Sequence, residues 1–231
     1  MKMKIPFFAL LGTTLLLATL TVKGQSAPNI IWQRTATNIF ANDAVAVSPN
    51  GQSVASQGTN GVQVWRVSDG VPTHALSLSG SSWFGALAFS PSGGYLVGGD
   101  GNSNISLWQT TNWTLVSGMV TRQQGPPVVF LPDSSAIAIG SGTNIEIRTL
   151  PKYGLVRSWK AANIQIAALA ISPDGTKLAS GSDYRNLDST VKIWEVATGN
   201  LLRSIPTAQT YNVGCIAFSP DGTKFATGAN S

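Results

Sequence analysis

Along most of this chain apolar and polar residues alternate at every second position, in short runs punctuated by proline, glycine and asparagine. Residues 62–65 read Val-Gln-Val-Trp, 105–108 Ile-Ser-Leu-Trp, 145–148 Ile-Glu-Ile-Arg and 191–194 Val-Lys-Ile-Trp. A period of two belongs to a β-strand, whose successive side chains point to opposite faces, and does not fit a helix. Gln63, Ser106, Glu146 and Lys192 fall on one side of these runs, which predicts half-buried strands. Two further runs precede each of them. The first mixes Ala and Gly with larger apolar residues, at 44–47, 86–89, 128–130, 167–171 and 214–218. The second ends in a small residue, at 54–58, 96–99, 137–141, 178–182 and 225–229. A more polar fourth run follows near 75–78, 113–116, 155–159 and 201–205, as expected of an edge strand.

Between the first and second runs stands one recurring turn phrase. It reads SPNG at 48–51, SPSG at 90–93, LPDS at 131–134, and SPDG at both 172–175 and 219–222. Proline sets φ at the second turn position, Asp or Asn bonds back to the backbone, and Gly accepts the left-handed conformation that closes the bend. Ser134 stands where Gly is wanted, so Ser134→Gly is expected to be neutral or stabilising. Successive phrases start 42, 41, 41 and 47 residues apart. Four strands per period in the low forties predict an all-β chain of small radial sheets, a β-propeller. Its blades fall at about 37–79, 80–121, 122–161 and 162–207, with a partial fifth at 208–231. A strand edge left open by that partial blade is expected to attract other chains.

Composition agrees with short strands and many turns: 43% of residues are hydrophobic and 11% charged, with 24 Gly and 12 Pro. Net charge is +5, but Lys2, Lys4 and Lys23 lie in a leader without acidic residues, leaving twelve basic against ten acidic side chains, or +2. A body so near neutrality excludes nucleic acid as a partner on electrostatic grounds. The leader couples Lys2 and Lys4 to an apolar run from Ile5 to Val22, with small residues Val22 and Gly24 before Gln25. That reads as a secretory signal peptide over 1–24, removed from a folded domain over 25–231, and places the protein in a secreted or periplasmic setting. Left uncleaved, it would be the chain's one membrane contact. Cys215 and His74 are single occurrences, so no internal disulfide and no zinc constellation of ordinary spacing is expected.

SPDGTKLASGSDYRNLDSTVKIWEVATG at 172–199 resembles a nearly complete WD40 repeat, with Trp194-Glu195 in place of the Trp-Asp pair, and SPDGTKFATGANS at 219–231 begins another. The resemblance implies a WD40-type propeller of the β-transducin-like family, in an exported, degenerate version. It also implies a ring that closes with about seven blades, so that these four and a half would be a fragment of a larger whole. In such blades a His, a Ser or Thr, an Asp and the repeat Trp form a buried tetrad. Carried over, Trp65, Trp108, Asp188 and Trp194 take the Asp and Trp positions, Ser180 or Ser182 the hydroxyl, while Gly80, Ala162 and Gln209 stand where His would be. Arg148 replaces the third Trp.

Such proteins grip partners on one propeller face, and Phe40, Trp83 and Tyr211 precede the first strands of three blades as aromatic anchors for a protein, peptide or glycan. The expectation is therefore a non-enzymatic scaffold without catalytic residues, cofactor or metal. The alternative is the propeller portion of an exported enzyme, quinoprotein-like or fused to a hydrolase, with its catalytic parts beyond Ser231.

Overall fold

The computed structural model describes residues 44–58, 61–77, 84–182, 190–207 and 213–228. Among them there is no helix; eighteen strands form four four-stranded antiparallel sheets and one two-stranded sheet. The first sheet contains β1 (Val45–Val47), β2 (Ser53–Gly58), β3 (Gly61–Arg66) and β4 (Pro72–Ser77), paired in that order. The second contains β5 (Phe84–Phe89), β6 (Tyr95–Asp100), β7 (Asn104–Gln109) and β8 (Thr114–Val120). The third contains β9 (Val128–Phe130), β10 (Ala136–Ser141), β11 (Asn144–Thr149) and β12 (Gly154–Lys160). The fourth contains β13 (Ile166–Ile171), β14 (Lys177–Ser182), β15 (Thr190–Glu195) and β16 (Leu201–Pro206), and the last β17 (Cys215–Phe218) and β18 (Phe225–Gly228). First strands of consecutive sheets are neighbours, β1 to β5 to β9 to β13 to β17, so the sheets fan out as the blades of a β-propeller.

One apolar cluster fills each of the four seams between blades. Ala55, Val62 and Val64 of the first blade meet Leu96 and Trp108 of the second. Val97, Ile105 and Leu107 of the second meet Phe130, Ile137 and Tyr153 of the third. Ala138, Ile145 and Ile147 of the third meet Leu169, Leu178 and Trp194 of the fourth. Ala170, Ala179 and Val191 of the fourth meet Val213, Ile216 and Phe218. Trp108 and Trp194 thus each face the preceding blade. Trp108 and Trp194 are 2% and 6% exposed. Trp65 is only half-buried, and Val45 and Val47 on the same face of the first blade are 47% and 43% exposed.

This stacking corrects two expectations. The third strands of the second and third blades have no polar side to water, because both faces lie between blades and Ser106 and Glu146 are buried, whereas Gln63 and Lys192 are half-buried as expected. The fourth strands are not polar at their starts, since Leu115, Leu155, Val156, Leu201 and Leu202 are exposed aliphatic residues on the outer edge. Where Arg148 replaces the third Trp, its guanidinium donates to Glu146 at 2.7 Å and to the Tyr153 carbonyl at 2.8 Å. Tyr153 then supplies the aromatic bulk of that seam.

The turn phrase does more than reverse the chain. Each leading serine accepts a hydrogen bond from the backbone N–H five residues on: Ser53 to Ser48, Tyr95 to Ser90, Lys177 to Ser172 and Lys224 to Ser219, all within 3.0 Å. Three of those serine hydroxyls also donate to the Asn or Asp of the turn. The fourth turn position touches the neighbouring blade's turn. A Cβ built on Gly175 would lie 3.2 Å from Pro132, and one on Gly222 3.3 Å from Pro173, so both a left-handed φ and the preceding proline restrict this position. Ser134, with φ of 63°, accepts a hydrogen bond from the Ser92 N–H at 3.0 Å instead. Ser134→Gly would remove a strain and a hydrogen bond of about 1 kcal/mol each, so the expected gain is offset.

Two predictions follow from this packing. Trp108→Ala is expected to cost about 3–5 kcal/mol in denaturant unfolding, against about 1–2 kcal/mol for half-buried Trp65→Ala; equal losses would contradict the seam assignment. Hydrogen bonds from Ser172 and Thr176 hold the Asp174 carboxyl down at about 2, and those from Ser219 and Thr223 do the same for Asp221. A folded-state value below the ordinary 3.8 stabilises the fold fully above about pH 4 and loses that contribution as the pH falls toward about 2. The double variant Asp174→Asn with Asp221→Asn should therefore lose less melting temperature than the wild type across that window; an equal loss would show that these bonds do not contribute.

Candidate functional site

Because the strands of each blade alternate in direction, the loops joining one blade's fourth strand to the next blade's first gather at the end opposite the turn phrases. Phe40, Trp83 and Tyr211, the expected aromatic anchors, lie outside the described residues, as does Asp188. The described part of this end consists of residues 121–127 and 161–165, with the second-to-third-strand turns at 101–103 and 142–143.

Buried polar groups fix these loops. Asp100 accepts the backbone N–H groups of Asn102 and Asn104 at 2.9 and 2.8 Å and the Asn104 side-chain amide at 3.0 Å. The Thr121 hydroxyl lies within bonding distance of the Ser103 and Gln123 carbonyls. Gln123, also buried, spans a seam: its Nε2 donates to the Ile166 carbonyl at 2.9 Å, while its Oε1 has no hydrogen-bond partner among the described residues. The Arg122 N–H donates to Ser141 Oγ at 3.2 Å and leaves the guanidinium outside. Arg122, Gln124 and Asn163 are exposed, and Arg122 is the single charged residue of these four segments. The surface can offer hydrogen bonds and one cation to a partner.

Half of the tetrad geometry is present. Trp194 Nε1 donates to Ser180 Oγ at 2.8 Å and Trp65 Nε1 to Ser56 Oγ at 2.9 Å. Of the two hydroxyls weighed for the fourth blade, Ser180 is the one that meets the indole. Buried Ala162 occupies the histidine position, beside a void too narrow for water that Lys192 and Thr190 also line. Apolar contact at the seams therefore carries what a full polar relay would share.

Side chains suited to catalysis are scattered. No group of three His, Cys, Asp or Glu residues could hold a metal among the described residues. His74 stacks on Trp113 at the first seam, whereas Cys215 belongs to the two-stranded sheet. Burial raises the Cys215 pKa, which leaves it a poor nucleophile at neutral pH. It is half-buried rather than fully enclosed.

Two residues at the turn between third and fourth strands escaped the sequence reading. Gly70, Trp113, Tyr153 and Gly199 occupy the same place in successive blades, with φ of 66°, 57°, 56° and 79°. Glycine suits that left-handed backbone and an aromatic residue does not. The signal was available by aligning the starts of the fourth strands, where glycines in the first and fourth blades flank bulky rings in the second and third.

The WD domain, G-beta repeat family matches residues 72–109, 154–195 and 199–231. The first two segments begin on the fourth strand of one blade and end on the third strand of the next, so each sequence repeat straddles a seam. Residues 110–153, between the matches, hold the departures Leu131, Ser134 and Arg148. Protein groucho of Drosophila melanogaster is 27% identical over 180 residues, covering 74% of this chain and 24% of the relative. The uncharacterized WD repeat-containing protein sll1491 of Synechocystis is 31% identical over 125 residues, covering 52% and 34%. The periodic tryptophan protein 2 homolog of Dictyostelium discoideum is 30% identical over 140 residues, covering 56% and 14%. The chain thus spans between 14% and 34% of the length of these relatives. Four-stranded blades, seam-facing tryptophans and these matched repeats together show that the chain belongs to the WD40-repeat family.

Proposed function

We propose that the chain is a non-enzymatic WD40 scaffold that presents the loop end of its propeller to a protein, peptide or glycan partner outside the cytoplasm. The observation that carries this reading is the make-up of the described loops. Their carboxylate, Asp100, is buried and committed to backbone N–H groups, while Arg122, Gln124 and Asn163 face outward as hydrogen-bonding groups. WD40 repeats are generally interaction modules, and this chain carries three matched segments of them. The leader, with Lys2 and Lys4 before its apolar run, supports export.

The test uses chain recovered from culture medium, its amino terminus expected at Gln25 by intact mass. On peptide and glycan arrays it should retain a defined set of ligands. Arg122→Glu with Gln124→Glu, and separately Trp83→Ala with Tyr211→Ala, should each weaken that retention at least about tenfold without lowering the melting temperature. Retention unchanged by both pairs, or a chain that stays in the cell with its leader intact, would overturn the corresponding half of the reading.

A further inference from the structure

Comparison of the seams with one another reveals one that is built differently. His74, Ser117 and Arg157 hold equivalent places on the fourth strands, opposite Val64, Leu107 and Ile147. At the second seam Ser117 Oγ donates to the Pro151 carbonyl at 2.7 Å, and at the third Arg157 Nη1 donates to the Thr198 carbonyl at 3.0 Å. Each bond latches a fourth strand to the following blade's turn. At the first seam His74 instead stacks its ring on Trp113, with centroids 5.2 Å apart and planes 27° apart. A cleft of about 570 Å³ opens there, lined chiefly by Gln52, Ser53, Arg66, Thr73, His74 and Trp113.

We propose that this cleft between the first two blades binds a neutral oligosaccharide. Its size falls within the range of small-molecule sites, and its lining is mainly apolar with a few polar groups, as in such sites. Trp113 and His74 give an aromatic wall for the C–H face of a sugar ring. The Gln52 amide and the hydroxyls of Ser53 and Thr73 supply donors and acceptors for ring hydroxyls. Arg66 Nε is bonded to Asp69 at 3.1 Å, which holds the guanidinium in place and cancels its charge. An anionic ligand would therefore meet Asp69 beside the cation, so a neutral one fits best.

Backbone strain singles out the same residue. Tyr153 shares the left-handed turn conformation but is 5% exposed within an apolar cluster, where its burial repays the strain. Trp113 accepts the same strain but remains half-buried, packing partly against the first-seam cluster and edge-on to Phe89 while the rest of its ring lines the cleft. A bulky residue held at positive φ without full burial marks a place where the ring itself is used. The cleft lies at the turn-phrase end of the propeller, away from the loops assigned to partner binding. The sugar site therefore stands or falls separately from that assignment.

Titration calorimetry on the full chain with hexasaccharides of β-1,4-linked glucose, β-1,3-linked glucose, mannose and N-acetylglucosamine tests this. At least one should bind with a dissociation constant below about 1 mM. Trp113→Gly, which suits the turn backbone, should weaken that sugar at least about tenfold while keeping the melting temperature. His74→Arg restores the residue that latches the third seam and should abolish binding with Trp113 still present. Arg203→Glu, on the exposed outer strand of the fourth blade, should leave sugar affinity unchanged. The proposal is overturned if none of the four sugars binds, if only anionic polygalacturonate binds, if both cleft variants bind normally, or if Trp113→Gly melts far below the wild type because the ring is merely packing.

Discussion

Apolar contact between stacked sheets holds this molecule together. No blade has a core of its own: a four-stranded sheet is one layer thick, and its side chains become buried only when another sheet covers them. Third strands therefore present aliphatic residues to the following blade, and Trp108 and Trp194 face the preceding one, as Trp108 does against Val62 and Val64. The bond from Trp194 to Ser180 orients an indole already placed by that packing. Stability of this kind is a sum over neighbours, so a weak repeat can persist between strong ones.

The third blade shows how far such compensation can go. It lacks the turn serine, the turn glycine and the tryptophan, at Leu131, Ser134 and Arg148. Ser135 takes over the turn carboxylate of Asp133, Ser134 reaches Ser92 across the seam, and Tyr153 fills the space in front of Arg148. Two of these losses are met by groups four or five residues away, and the third by a contact to the preceding blade. The blade survives because its neighbours supply the rest of the interface.

Most of the architecture was legible in the sequence because both of its determinants are local: alternation fixes the strands, and the proline-containing phrase fixes the turns. What lay hidden was relational. Ser106 and Glu146 look solvent-facing from alternation alone, and only the presence of a second sheet on that side shows otherwise. Gly175 looks like a turn residue, yet it also makes room for Pro132 of another blade. The cleft was equally invisible, since it arises from the difference between His74 and its counterparts Ser117 and Arg157, a contrast that appears only once the strands are in register. Of the candidate site, the aromatic anchors came from the resemblance, whereas the buried Gln123 bridge required coordinates.

The central claim is that hydrophobic contact across a seam, not bonding within a blade, stabilises the fold. A double-mutant cycle on Trp194→Ala and Ile147→Ala, residues of the fourth and third blades in one cluster, measures it directly. The account predicts non-additive unfolding energies, with a coupling above about 0.5 kcal/mol. Strict additivity of the two losses would contradict it.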